Sequence, residues 1–175
     1  MTNRIHVCSV DRIEQITAKT GARHLVTLIN NELQVATPSG IEADKHLRLI
    51  MNDISEPRDN LIKPEKQHIE NLLDFTASWD QQAPMVIHCL AGISRSTAAM
   101  FITLCALNPK TDESTIATAL RAASPTAHPN RLLVEYGDTL LNRQGRMSKA
   151  IIELSPCTIA NEGIPFSLPV LINNS

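Results

Sequence analysis

The chain has 175 residues, 43% hydrophobic and 19% charged, which suits one globular domain with a buried core and gives no sign of disorder. Sixteen basic against eighteen acidic residues leave a formal charge of -2, too even for the basic footprint of a nucleic-acid binder or a polybasic membrane anchor. No apolar run approaches the ~20 residues of a bilayer span, and Met1 to His6 lacks the pattern of a secretory leader. The expectation is therefore no nucleic-acid partner, no membrane insertion and a cytoplasmic location.

Apolar strand-like runs alternate with helical patterns, an α/β layout, and no solenoid-like period appears. Ile5 to Val10 reads as a strand, with Asp11 as the cap of a helix carrying Ile13, Ile16 and Ala18 before Gly21 ends it. Leu25 to Ile29 reads as a second strand and His46 to Met51 as a third, running into the turn-rich Asn52 to Pro57. Pro64 suits the first turn of a helix to about Trp79 with Ile69, Leu72, Leu73 and Phe75 near one face. Pro84 then breaks the chain before the buried strand Met85-Val86-Ile87, at whose end Cys89 stands.

Ser96 to Leu107 has no charged stripe and reads as a buried helix stopped by Asn108-Pro109. Further helices are expected from about Asp112 to Ala123, from Pro129 to Leu141 and from Arg146 to Leu154. The fold expected is a central, mostly parallel sheet of about four to five strands flanked by helices. Residues 155–175 hold Pro156, Pro165 and Pro169 among apolar residues, so they read as an extended arm packed on the domain or on a partner.

Cysteines 8, 89, 105 and 157 lie far apart without a C-x-x-C pair, and the histidines show no ligand spacing, so neither a metal nor another cofactor is called for. Cys8, Cys105 and Cys157 read as small buried filler. The segment His88-Cys89-Leu90-Ala91-Gly92-Ile93-Ser94-Arg95-Ser96 is different. Between a strand and a helix, the backbone N–H groups from Leu90 to Arg95, through Leu90, Ala91, Gly92, Ile93 and Ser94, form a cradle for an anion, with Gly92 permitting the bend. Arg95 adds a planar fork for two phosphate oxygens. A thiol beside an arginine at a helix N-terminus is favoured as thiolate, which makes Cys89 a candidate nucleophile needing no general base.

His88-Cys89, five intervening residues, then Arg95-Ser96 resembles the motif of the cysteine-dependent protein tyrosine phosphatases, and Ala91 to Ser96 is similar to the compact dual-specificity branch. The likeness extends to Leu25 to Asn30 as an early strand, Asn52-Asp53 as an acid loop, and Pro129-Asn130 with Leu132 and Leu133 as a late helix. It implies a phosphatase domain over residues 1–154. By the same resemblance Cys89 attacks phosphorus to give a phosphocysteine, Arg95 clamps the transferred group, and Ser96 steadies the departing sulfur. Asp53 is the candidate general acid, with Asp59 and Asp80 as rivals, and His88 orients the loop through hydrogen bonds.

The resemblance further implies a phosphorylated protein as substrate, phosphotyrosine first and phosphoserine or phosphothreonine beside it. The loop interior has no lysine of the kind seen in members that act on inositol phosphates. Phospholipid or small-molecule phosphate monoesters, and a non-catalytic phosphoprotein-binding module, remain the alternatives. Five rather than four residues before the arginine disfavour a rhodanese-like sulfurtransferase, and three strands before the cysteine disfavour a low-molecular-weight phosphatase. The oligomeric state, and whether Cys8 or Cys105 pairs with Cys89, stay open.

Overall fold

The computed structural model describes residues 3–172. Five strands, β1 (Arg4–Ser9), β2 (His24–Ile29), β3 (His46–Ile50), β4 (Met85–Cys89) and β5 (Phe166–Pro169), form one sheet in the order β3-β2-β4-β1-β5. β1, β2, β3 and β4 run parallel; β5 pairs antiparallel with β1, Arg4 opposite Pro169 and Val7 opposite Phe166. Every residue of β2 and of β4 is buried, as expected of inner parallel strands covered on both faces. Pro169, which has no N–H to donate, sits on the edge strand, where a ladder tolerates it.

Helix α1 (Ile13–Thr20) covers one face over Cys8, Leu25, Ile41 and Val86. The other face carries the main core, where Ile5, Val7, Val26, Met85, Ile87 and Cys89 meet α2 (Lys66–Ser78) and α3 (Arg95–Leu107). Arg95 to Cys105 are all buried, because α3 is enclosed by the sheet on one side and by α4 (Glu113–Ala123) and α5 (Arg131–Leu140) on the other. Such a helix is apolar all round, as its sequence suggests. Alternation along the strands puts Cys8 and Cys89 on opposite faces of the sheet, and Cys105 lies along α3 with its carbonyl held by Arg143 at 2.6 Å.

Helices α4, α5 and α6 (Arg146–Ile152) are locked by two buried carboxylates. Glu113 accepts from Arg143 at 2.8 Å and from Arg146 at 3.1 Å. Burial opposes its ionisation, but its backbone hydrogen bond, Arg146 and Arg143 together hold the carboxyl below its usual range. Asp138 takes the N–H groups of Gly145, Met147 and Ser148 at 2.6, 2.7 and 3.1 Å, satisfying donors that the first turn of α6 would leave bare.

Several local expectations are corrected. Asp11 does not cap α1: the chain leaves β1 through a short 3-10 turn, Val10–Arg12, and the cap position falls on Arg12 without a side-chain bond. Pro64 and Pro129 precede their helices, which begin at Lys66 and Arg131 behind Glu65, in a capping box with His68, and Asn130, which accepts from Leu133 N–H at 3.1 Å. The last helix stops at Ile152. Cys157 is half-buried, its sulfur 3.5 Å from His128 Nδ1. Within the expected extended segment after Ser155, Phe166–Pro169 pairs with β1 as β5.

Gly137 lets α5 approach α3 closely: a Cβ there would stand 2.7 Å from Cγ1 of the fully buried Ile102. Gly137→Ala is therefore expected to lower unfolding free energy by about 1–3 kcal/mol in denaturant titration, the usual result of overfilling a packed contact.

Candidate active site

β4 ends at Cys89, and the chain turns through residues 90–94 into the N-terminus of α3. Gly92 makes the bend with φ 72°, and a Cβ there would lie 2.8 Å from the backbone carbon of Cys8, so the position requires glycine both for conformation and for space. The loop's carbonyls are tied outward one after another. Cys89 C=O lies 3.2 Å from His88 Nδ1, Leu90 C=O accepts from Val10 N–H at 3.1 Å, and Ala91 C=O accepts from Gly163 N–H at 2.8 Å. Ile93 C=O accepts from His128 N–H at 2.9 Å and from the Thr97 hydroxyl at 2.5 Å; Ser94 C=O accepts from Ala98 and Asn130 N–H at 3.0 and 3.3 Å. In a planar trans peptide the following N–H points the opposite way. The N–H groups of Leu90, Ala91, Gly92, Ser94 and Arg95 thus turn to the inner side, the arrangement that binds an anion.

Cys89 lies at the floor of this loop, 2% exposed, with its sulfur 3.1 Å from the hydroxyl of the fully buried Ser96. Arg95 is 5% exposed; its Nη1 donates to Met51 C=O at 2.8 Å, while its buried Nε–H has no acceptor among the described residues. A buried charged donor without a partner is costly, and an acceptor placed in the loop would relieve it. Asp53 reaches the loop from the segment after β3, its Oδ1 accepting from Ser94 Oγ at 2.8 Å and Asn130 Nδ2 at 2.9 Å. No hydrogen bond among the described residues joins Asp59 or Asp80 to the loop; Asp80 instead accepts from Gln82 N–H at 3.0 Å.

The structure therefore brings Cys89, Arg95, Ser96, His88 and Asp53 together with residues 90–94. Beside them opens a cavity of about 440 Å³ lined by Asp53, Ile54, Arg58, Ser94, Pro129 and Arg131 among others. Sequence reasoning missed Asn130 as the residue that holds Asp53, although the Pro129-Asn130 pair was visible as a motif. It also missed the arm's reach to the site: besides Gly163 on Ala91, Glu162 accepts from the hydroxyl of Ser9, the last residue of β1, at 2.6 Å. Arg121 donates to the carbonyls of Ser124, Pro125, Ala127 and Ser155 and so fixes the turn leading to His128.

His88 is fully buried, and its Nε2 lies 2.7 Å from the Thr27 hydroxyl, which His46 Nε2 also approaches at 2.7 Å. Burial, aided by Arg95, outweighs the Cys89 carbonyl and pulls His88 down to about 4. Burial, then Arg48 and His88, pulls His46 down to about 4 as well. Unfolded histidines titrate near 6.5, so the folded protein loses stability as pH falls from about 6.5 toward 4, the unfolded chain taking up protons that the folded one refuses. Denaturant midpoints measured across this window should decline with acid, and His46→Gln should flatten the decline.

The protein-tyrosine phosphatase family model matches residues 40–125, a stretch holding Asp53 and the whole of the loop. No curated protein matches the chain. Among solved structures, the human tyrosine phosphatase-like serine/threonine/tyrosine-interacting protein is similar at 16% identity and TM-score 0.62, over 80% of this chain and 92% of that one. Human DUSP28 is similar at 19% identity and TM-score 0.57, over 78% and 89%. PTP-2 phosphatase of Cydia pomonella is similar at 15% identity and TM-score 0.58, over 95% and 99%. Residues 40–125 are thus similar to the protein-tyrosine phosphatase family, and the sheet with its flanking helices shares the fold of these phosphatase and phosphatase-like structures.

Proposed function

We propose that the protein hydrolyses phosphate monoesters through a phosphocysteine, with protein phosphotyrosine as its first substrate class and phosphoserine or phosphothreonine beside it. The observation that carries this reading is Cys89 at the floor of a loop of inward N–H groups, with Ser96 on its sulfur and a free Arg95 Nε–H. The phosphoryl oxygens fill the loop and take up Arg95 Nε–H, which neutralises their charge and holds phosphorus against sulfur. The Cys89 thiolate forms an S–P bond as the P–O bond to the leaving group breaks, and Asp53 gives that oxygen its proton. Asp53, now ionised, takes a proton from water as the water oxygen bonds to phosphorus. The S–P bond breaks, inorganic phosphate leaves, and the Ser96 hydroxyl donates to the sulfur that regains its charge. Ser94 and Asn130 hold Asp53 at the rim of the loop for both proton steps.

Substrate choice rests on the cavity beside the loop. Ile54 and Pro129 are its apolar members, suited to the ring of a phosphotyrosine, and Glu56, Arg58, His128 and Arg131 suit the polar flanks of a peptide. None of the residues Phe75, Trp79, Phe101, Tyr136 and Phe166 lines it, so no phenyl or indole stacking supports a phosphotyrosine ring there, and a small phosphate monoester is the second reading. We further read residues 1–154 as the catalytic domain and 155–175 as an arm packed on it or on a partner, acting in the cytoplasm without a metal or other cofactor.

Hydrolysis of an aryl phosphate is expected from the wild type and abolished in Cys89→Ser; no turnover in either protein, or equal turnover in both, overturns the catalytic reading. Asp53→Asn should depress kcat by about 10² to 10⁴ on a poor leaving group and much less on a good one; the same pattern in Asp59→Asn instead would move the acid to that residue. A phosphopeptide and phosphoinositide panel with Cys89→Ser as a trap decides between the substrate classes.

A further inference from the structure

The histidine that holds the Cys89 carbonyl does not stand alone. Its Nε2 and that of His46 are each 2.7 Å from the Thr27 hydroxyl, and His46 Nδ1 lies 2.9 Å from the Thr37 hydroxyl. Arg48 Nη2 donates to that same hydroxyl at 2.8 Å and to Val35 C=O at 3.3 Å. Five side chains thus cross the sheet from β4 through β2 to β3 and the loop before it, all on the line that leads to Cys89.

The direction of this line is fixed at its ends. A guanidinium can only donate, and a carbonyl can only accept; a hydroxyl has one proton to give, and a neutral imidazole has one N–H and one bare nitrogen. Arg48 takes one acceptor site of the Thr37 hydroxyl, and in the order that ends with a proton facing Cys89 C=O the Thr37 proton goes to His46 Nδ1. His46 then carries its proton on Nε2 and donates to Thr27, and Thr27 donates to His88 Nε2. That leaves the His88 proton on Nδ1, aimed at Cys89 C=O. The opposite order would set a bare His88 Nδ1 against the carbonyl oxygen at 3.2 Å, two lone pairs face to face in a buried place. Burial keeps both rings neutral well below physiological pH, with Arg48 facing His46 from β3 and Arg95 facing His88 from the start of α3.

We propose that Arg48, Thr37, His46 and Thr27 form a one-way hydrogen-bond chain that selects the Nδ1–H form of His88 and thereby turns the Leu90 N–H into the phosphate loop. It rests on the reading of residues 89–95 as a phosphate cradle. None of the four touches the anion, so they are positioning residues, acting through His88 and the Cys89–Leu90 peptide. Thr37 is half-buried and lies outside the sheet, which makes it the member that can be altered with least risk to the fold.

The test reads the protons directly. In the ¹⁵N-labelled wild type, long-range ¹H–¹⁵N correlations at neutral pH should show His88 protonated on Nδ1 and His46 on Nε2; a proton on His88 Nε2 or on His46 Nδ1 overturns the proposal. Thr37→Val should leave His46 a mixture of both forms, reduce the shift of the Leu90 amide on titration with inorganic phosphate, and lower kcat/KM by roughly three- to tenfold. Thr37→Ser should restore all three to within about twofold of wild type. Wild-type behaviour of Thr37→Val in its tautomers and in its Leu90 response also overturns the proposal. The tautomers and the phosphate titration need no turnover, so a wild type inactive on aryl phosphates would remove the proposed function and still leave this chain to be decided on its own readouts.

Discussion

Peptide planarity is the constraint on which the site depends. An anion-binding loop needs several N–H groups facing one point, and the chain cannot turn them there without sending the carbonyls outward, where each must find a donor or go unsatisfied. Those donors come from His88 beside the cysteine, Val10 after β1, Gly163 in the arm, and His128 and Asn130 before α5. The loop is thus shaped less by its own sequence than by the shell of backbone amides around it. β4 and α3 place its ends, and the surrounding elements set the angle of each peptide between them.

That dependence explains how much of the molecule is committed to holding the elements around the loop. α5 brings Asn130 to both Ser94 C=O and Asp53, and its packing on α3 is as close as Gly137 allows. Beyond α5, the Glu113 and Asp138 carboxylates join α4, α5 and α6 through charged and backbone donors. Removing one partner from such a buried group is costly because the other is left uncompensated. The Glu113 ion pairs thus hold together α4 and the start of α6, which packs on α5, the helix that Asn130 caps.

The α/β order, the inner strands and the strand-loop-helix setting of Cys89 were legible because hydrophobic runs and breakers are local signals. Met85 to Ile87 could be read as a buried strand and Ser96 to Leu107 as a buried helix without knowing what covered them. Asn52-Asp53 stood out through its turn context, and the structure sets Asp53 against Ser94 and Asn130. What escaped was long-range: nothing in Gly163 announces a contact with Ala91, and Thr27, Thr37, His46 and Arg48 read one by one as ordinary strand and loop residues. Nothing local in Arg121 or Arg143 announces the buried or backbone acceptors each serves, which arginine's fork makes tolerable. Helix starts slipped by a residue or two where a proline precedes the cap instead of entering the first turn.

The arm gives the protein an order of assembly. A ribosome delivers residues from the N-terminus onward, so β1, β4 and α3 exist before Gly163 and β5 emerge. Until then Ala91 C=O lacks its donor, the Ser9 hydroxyl lacks Glu162, and β1 is an open sheet edge. A growing chain thus carries Cys89 on an unfinished loop until the segment from Gly163 to Pro169 has emerged, paired with β1 and given Ala91 C=O its donor.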